Sequence, residues 1–104
     1  MEPFAVVVIE GSPTRVRLVG EFDLAGVPVF ESAVRGLDGD IELDCSALEF
    51  IDAAGMGALV AAHNACDERG TMLILDDPSP LMCHVLGVVG LDALLRIRQT
   101  DATS

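Results

Sequence analysis

A candidate helix cap and two closely spaced glycines lie within residues 44–60, and they determine how the rest of the chain can be arranged. Asp52 directly precedes apolar residues that recur at spacings of three and four, the pattern of one buried helical face. Its carboxylate can accept the unpaired N–H groups of a first helical turn. The sequence therefore predicts a helix that begins after Asp52, runs to about Arg69 and stops at Gly70. The residues of its predicted buried face are Met56, Leu59, Val60 and His63.

Gly55 and Gly57 fall at the start of this predicted helix, where each glycine costs about 1 kcal/mol relative to alanine. That cost indicates a surface that has to be free of side chains. Two explanations remain open at this point. Either a neighbouring strand of the same fold packs closely there, or the backbone of a partner protein does.

The 104 residues suffice for one domain with its own hydrophobic core. Because 51% of the chain is apolar and only 4% is aromatic, the core is expected to consist mainly of Val, Leu, Ala and Ile. The longest apolar runs, such as 4–9 and 87–91, are much shorter than the roughly 18 residues of a membrane span. The N-terminus also lacks the pattern of a signal peptide. We therefore expect a cytoplasmic protein that does not insert into a membrane.

The chain is strongly acidic, with 17 Asp and Glu residues against six Arg and a formal charge of −11. Nucleic acids and anionic lipids are bound through Lys and Arg, so the charge disfavours both as partners. It favours a protein partner with a basic face. Some of the charge is also expected to keep an alanine-rich domain in solution.

Three cysteines occur at wide spacing and form no C-x-x-C pair. In a cytosolic chain this pattern predicts reduced, buried thiols that pack as small hydrophobic groups. A redox switch that uses Cys45, Cys66 or Cys83 is a second interpretation. We expect no metal site, because the spacing of these residues to the two histidines does not match the usual ligand pairs.

No motif for catalysis is present. The sequence has no phosphate-binding G-x-x-x-x-G-K-[ST] loop, no lysine and no G-x-S-x-G element. His63 lies on the predicted apolar face of its helix, which favours a structural role. We therefore expect neither enzymatic activity nor a cofactor.

Strand and helix patterns alternate along the chain. Predicted strands cover residues 4–10, 14–19, 41–45, 71–75 and 94–97, and predicted helices cover about 27–36 and 53–69. A third predicted helix starts within residues 76–80, with Pro78 and Pro80 at its entry, and ends at Gly90. This order predicts an α/β fold with a mixed sheet of four or five strands, an N-terminal antiparallel hairpin and about three helices. The loop between strand and helix is expected at 46–51. Because 71–75 is almost continuously apolar, both faces of the sheet are expected to be covered.

Three segments together resemble one protein family. They are the GEFDL of residues 20–24, the IELDCS of 41–46 and the FIDAAGMGAL of 50–59. They look like the corresponding segments of the STAS domain, the module of the anti-sigma factor antagonists. The resemblance covers nearly the whole chain, and implies one STAS-like domain over residues 1–98 with a frayed tail at 99–104.

The resemblance implies a bacterial partner switch in transcription regulation. An antagonist of this family binds an anti-sigma factor serine kinase and thereby frees a sigma factor. The kinase releases itself by phosphorylating a Ser or Thr directly after the motif aspartate. The matching position here is Ala53, which has no hydroxyl and cannot accept phosphate. Ser46 and Ser79 are expected near the same end of the sheet and are weaker candidates for a substitute acceptor.

The residues expected to bind the partner cluster around this motif. Met56 would be the apolar anchor, and the glycines would let the partner backbone approach. The full predicted set is Glu21, Asp23, Asp52, Ala53, Ala54, Gly55, Met56 and Gly57. Two alternatives stay open: a STAS regulatory or scaffold subunit of a transport ATPase or stress complex, and a thiol-sensitive regulator.

Overall fold

The computed structural model describes residues 3–100, and within that range the chain forms five strands, three α-helices and two short 3₁₀ turns. The elements are β1 Ala5–Ile9, β2 Thr14–Phe22, α1 Val27–Val34, β3 Ile41–Ile51, α2 Ala53–Glu68, β4 Leu73–Asp76, α3 Pro80–Val88 and β5 Arg96–Arg98, with 3₁₀ turns at Leu24–Gly26 and Leu91–Ala93. The predicted α/β class, the N-terminal hairpin and the three helices are confirmed.

The five strands lie in sequence order across one sheet. β1 pairs with β2 in the antiparallel sense, and the remaining neighbours are parallel. Each parallel connection needs a crossover, and α1, α2 and the segment that contains α3 supply them. Phe30 of α1, Leu59 of α2 and Leu86 of α3 join the same buried cluster as the inward-facing residues of the strands. The three helices therefore cover one face of the sheet.

The prediction that both faces are covered is wrong. The face opposite the helices, which we call the open face, carries mostly charged side chains; its residues include Val7, Ile9, Arg15, Arg17, Glu42, Asp44, Ile74, Asp76 and Arg98. Ile74 made β4 appear apolar on both sides, yet its neighbours in the register are Glu42 and Arg96. One half-buried isoleucine among charged groups does not require a second layer.

Two strands are longer than predicted. β2 continues to Phe22, because Gly20 and Phe22 extend the alternation of its buried residues. β3 continues to Ile51 through the predicted loop at 46–51. The pairing of β3 with β2 has two irregularities, and beyond Cys45 the buried residues of β3 are three positions apart instead of two. This part of the strand therefore lacks the alternation by which a strand is predicted from sequence.

Asp76 lies at the end of β4 and is 1% exposed, although it belongs to the open face. Arg98 binds it through two nitrogens at 2.7 and 2.8 Å, and Arg15 approaches it at 2.9 Å. Both arginines also reach Glu42, at 2.8 and 3.2 Å. Burial alone would raise the pKa of Asp76, but the hydrogen bonds from Arg98 and Arg15 outweigh it, and the pKa lies below its ordinary value. The network joins β2, β3, β4 and β5.

Helix α3 begins later than predicted. The sequence placed its entry from Asp76 onward, whereas the structure starts it at Pro80 with Ser79 as the cap.

After β5, Gln99 donates to the carbonyl of Pro78 at 3.3 Å, and the backbone of Thr100 donates to Asp77 at 2.6 Å. The rest of the predicted frayed tail, 101–104, lies outside the described residues. None of the helices that the structure describes has the length and apolar composition to cross a membrane.

Candidate functional site

The ends of β2 and β3 bring the predicted acidic residues together. Phe22 and Ile51 are paired in the register, so the residues that follow them, Asp23 and Asp52, emerge side by side. The N–H of Asp52 donates to the carbonyl of Phe22 at 3.1 Å, which ties the two strand ends. Glu21 lies one position earlier on β2. Neighbouring strands are about 4.8 Å apart, so the three carboxylates share a small acidic surface.

Asp52 and Asp23 each cap the structure that follows them. The Asp52 side chain accepts the N–H of Gly55 at 2.9 Å, and the predicted cap of α2 is confirmed. Asp23 accepts the N–H of Gly26 at 3.2 Å in the 3₁₀ turn that leads into α1. Asp23 is exposed and Asp52 is half-buried, so both remain at the surface while they fix the two turns.

Gly55 is packed inside the protein. A Cβ at this position would lie 2.6 Å from the carbonyl oxygen of Phe22 and 2.8 Å from a side-chain carbon of Ile51. The close neighbour is therefore β2 of the same fold, and the prediction that Gly55 faces a partner is wrong. Gly57 is exposed and has open space around it, so a partner can approach there.

Alanine at these two glycines should have opposite effects on stability. Gly55→Ala must push against backbone that cannot move freely, and we expect it to lower the free energy of unfolding by about 1 to 3 kcal/mol. Gly57→Ala meets no atom within 4 Å, and should raise it by about 0.5 to 1 kcal/mol through helix propensity. Urea unfolding of the two variants provides the measurement and its matched control. Equal effects would contradict the packing described for Gly55.

An apolar groove runs beside the start of α2. It is lined by Ala53, Met56, Gly57, Val60, Val89 and Leu91, and its volume is about 360 Å³. Ala53 is exposed at the first position of the helix, and Ala54 behind it is half-buried. Met56 is half-buried and packs against the core with one side. The groove and the acidic surface meet at Asp52 and Ala53.

The buried face of α2 consists partly of other residues than predicted. Leu59 and His63 are buried as expected, whereas Met56 and Val60 are half-buried in the wall of the groove. The fully buried residues are Gly55, Ala58, Leu59, His63 and Cys66. Small residues at positions 55 and 58 let the helix lie close to the sheet, and this leaves the larger ones partly uncovered. The pattern of small residues was the signal that would have identified the groove.

The two candidate substitute phosphoacceptors occupy different places. Ser46 is exposed in the middle of β3, and its hydroxyl donates to Asp44 at 2.7 Å. It precedes Ile51 by five residues, which is about 16 Å along a strand, so its predicted position near the end of the sheet is wrong. The Ser79 hydroxyl accepts the N–H of Met82 at 3.1 Å and caps α3. Ser79 lines a small apolar cavity of about 90 Å³ that Ile51 also lines.

The cysteines and the buried histidine have structural surroundings. Cys45 and Cys66 are buried and Cys83 is half-buried, all as free thiols. Burial raises the pKa of the Cys45 thiol to about 12, which opposes the thiolate that redox chemistry needs. His63 has its Nε2 3.4 Å from Asp67, and its Nδ1 has no hydrogen-bond partner among the described residues. Within residues 3–100, no three His, Cys, Asp or Glu side chains are grouped to hold a metal ion.

One comparison with known proteins identifies the family of the chain. A family model described as "Mlab, STAS domain" matches residues 5–96. No curated protein matches the sequence significantly.

Several solved structures have the same fold. An anti-sigma factor antagonist from Mycobacterium paratuberculosis superimposes with a TM-score of 0.83 at 21% identity, over 94% of this chain and 87% of that one. The phosphorylated Bacillus protein SpoIIAA gives 0.74 at 22% identity, over 94% and 93%. A sulfate transporter family protein from Wolinella succinogenes gives 0.71 at 24%, over 80% and 73%. At these identities the likeness concerns the fold alone.

Proposed function

Because the chain belongs to the STAS domain family, we propose that it acts by binding a regulatory protein, and that this partner is an anti-sigma factor serine kinase. Binding would sequester the kinase and free a bacterial sigma factor in the cytoplasm. This role requires no catalysis and no cofactor from the chain itself. Support comes from the solved structures with this fold that are described as anti-sigma factor antagonists.

The observation that carries the proposal is the surface at the start of α2. There Asp52 directly precedes Ala53, which lines an apolar groove with Met56 in its wall. Glu21 and Asp23 lie at the neighbouring end of β2 and extend the acidic surface on the other side of Asp52. Such a surface fits a partner that inserts an apolar side chain and places Lys or Arg next to it. The apolar contact would supply most of the affinity, and the opposite charges would speed the encounter and fix the orientation.

Ala53 would make the interaction independent of phosphorylation at the motif. It is exposed at the first position of α2, where a hydroxyl would be accessible to a kinase. A phosphate there would add about −1.5 to −2 charges beside Asp52 and Asp23. Since alanine cannot carry one, we expect the chain to bind its kinase constitutively.

Affinity capture from the cytosol of the native cell tests the proposal. The tagged full-length chain should retain an anti-sigma factor kinase of the ATPase fold, identified by mass spectrometry. Asp52→Lys should reduce the retained amount at least about tenfold, because it reverses a charge that faces a basic partner. Recovery of unrelated proteins alone would refute the proposal.

A matched variant separates the charge of Asp52 from its capping role. Asn is as good a cap as Asp, so Asp52→Asn keeps the bond to Gly55 and removes the charge. We expect it to bind less kinase than the wild type while its thermal unfolding stays nearly the same. Full retention by Asp52→Asn would show that the acidic surface does not contribute.

A second candidate is a regulatory subunit of a transport ATPase. It is favoured by the Wolinella succinogenes neighbour, which is named as a sulfate transporter family protein. The same capture experiment distinguishes the two. Retention of an ABC-type ATPase in place of a kinase would support this candidate.

A further inference from the structure

The two edges of the sheet differ in how they are protected. β5 at one edge has three residues, and two of them are Arg96 and Arg98. Short, charged edge strands resist pairing with other chains. β1 at the other edge has the sequence Ala-Val-Val-Val-Ile, without charge or proline. Natural proteins usually protect such an edge from pairing with strands of other chains.

β1 is also regular and exposed. Its register with β2 runs without a shift from Ala5 to Ile9, so no bulge twists its outer side away. Val7 and Ile9 face the open side and are 49% and 53% exposed. Within residues 3–100, β2 is the strand that pairs with it. Its outer backbone groups are therefore available to another strand.

The charge distribution favours a second copy at this edge. On the two strands nearest to β1, the open face carries Arg15 and Arg17 of β2 opposite Glu42 and Asp44 of β3, and these four charges sum to zero. The formal charge of −11 is therefore borne by the rest of the chain. Two like-charged copies repel each other least where they meet through a face without net charge.

We propose that β1 pairs with β1 of a second copy in the antiparallel sense and forms a symmetric dimer with a continuous sheet. Antiparallel pairing of identical strands is self-complementary, as a two-fold axis requires. The register that overlaps all five residues places Val7 opposite Val7 and Ala5 opposite Ile9. Since no residue of β1 lines the apolar groove, each copy keeps its own groove beside α2.

Sedimentation velocity of the full-length chain, from low to high micromolar concentration, tests the dimer. The wild type should shift from the 10.9 kDa monomer to twice that mass as its concentration rises. Val7→Lys would place two like charges opposite each other and should weaken the dimer at least about tenfold. Val88→Lys, at a residue of α3 that is 71% exposed, is the matched control and should leave it unchanged.

Two outcomes would overturn the proposal. A wild type that stays monomeric at all concentrations would leave the β1 edge to a strand of some other protein. A dimer that Val7→Lys does not weaken would have to form through another surface. A crosslink gives a second measurement: directly opposed residues have Cβ atoms about 5 Å apart, so Val7→Cys should form a disulfide-linked dimer on oxidation. Absence of that crosslink in a dimeric sample would exclude the proposed register.

Discussion

Replacing Asp76 with alanine is expected to lower the free energy of unfolding by about 3 kcal/mol. The carboxylate is 1% exposed and is the common partner of Arg15 and Arg98. Without it, the two guanidinium groups repel each other across the vacated position, and Glu42 is the carboxylate that both still share. The expected loss of unfolding free energy is at the lower end of the range for breaking a buried ion pair. The arginine side chains are 35% and 45% exposed, so water can solvate them when the carboxylate is absent.

Urea unfolding of Asp76→Ala and Asp44→Ala measures this effect with a control on the same face. Among the residues that the structure describes, Asp44 has one ion pair, to Arg15 at 3.6 Å, and two hydrogen bonds from its exposed neighbour Ser46. We expect its removal to cost about 1 kcal/mol or less. A chain of this size should then lose 10 °C or more of melting temperature in Asp76→Ala, at about 4 to 8 °C per kcal/mol. Equal destabilisation by the two variants would show that the buried network is not the cause.

The same carboxylates predict a fall in stability at low pH. Burial opposes ionisation of both groups, but hydrogen bonds from arginines at Asp76 and from Ser46 at Asp44 lower their pKa values in the folded state. A lowered folded pKa stabilises the protein above the unfolded value of about 3.9, and this contribution is lost as the pH falls through the folded value. Unfolding free energies measured downward from about pH 5 should decline, and less steeply in Asp76→Ala.

A negative charge at position 53 is expected to weaken partner binding about 100-fold. Ala53 is exposed and lines the apolar groove, so a bound partner would cover a charge placed there. Covering an unpaired charge costs several kcal/mol, and about 2.7 kcal/mol corresponds to 100-fold. Asp52 and Asp23 nearby add like-charge repulsion. Ala53→Glu introduces the charge without harm to α2, because acidic residues suit the first turn of a helix.

Ala53→Gln is the matched control for this substitution. Its side chain has nearly the same size and no charge, so the difference between the two variants isolates the electrostatic part. Isothermal titration with the captured kinase should show a small loss for Gln and the large loss for Glu. Similar affinities for Glu and the wild type would mean that the partner does not cover Ala53.

The features that were predicted correctly from the sequence are those that depend on residues close together in the chain. Asp52 as a cap and Gly70 and Gly90 as helix ends are each determined by the backbone chemistry of a few neighbouring residues. The N-terminal hairpin followed from two strand patterns, at 4–10 and 14–19, that lie close together in the sequence. These features do not depend on what the rest of the chain contacts.

The sequence failed where the geometry depends on distant residues. β3 was shortened because its pairing irregularities with β2 change the spacing of its buried residues. Asp76 was expected to lead into a helix, whereas Arg15 and Arg98, 61 and 22 positions away, bind it. The role of Gly55 was left open, because it depends on the carbonyl of Phe22, which another strand supplies.

The central claim is that the start of α2 binds a kinase that cannot release itself by phosphorylating this chain. Its most direct test mixes the captured kinase and ATP with the wild type or with Ala53→Ser, and follows both the complex and the phosphate by mass spectrometry. We predict that the wild type stays bound and unmodified, while Ala53→Ser accepts phosphate and dissociates. Phosphate on the wild type, at Ser46, Ser79 or elsewhere, together with its release from the kinase, would contradict the account.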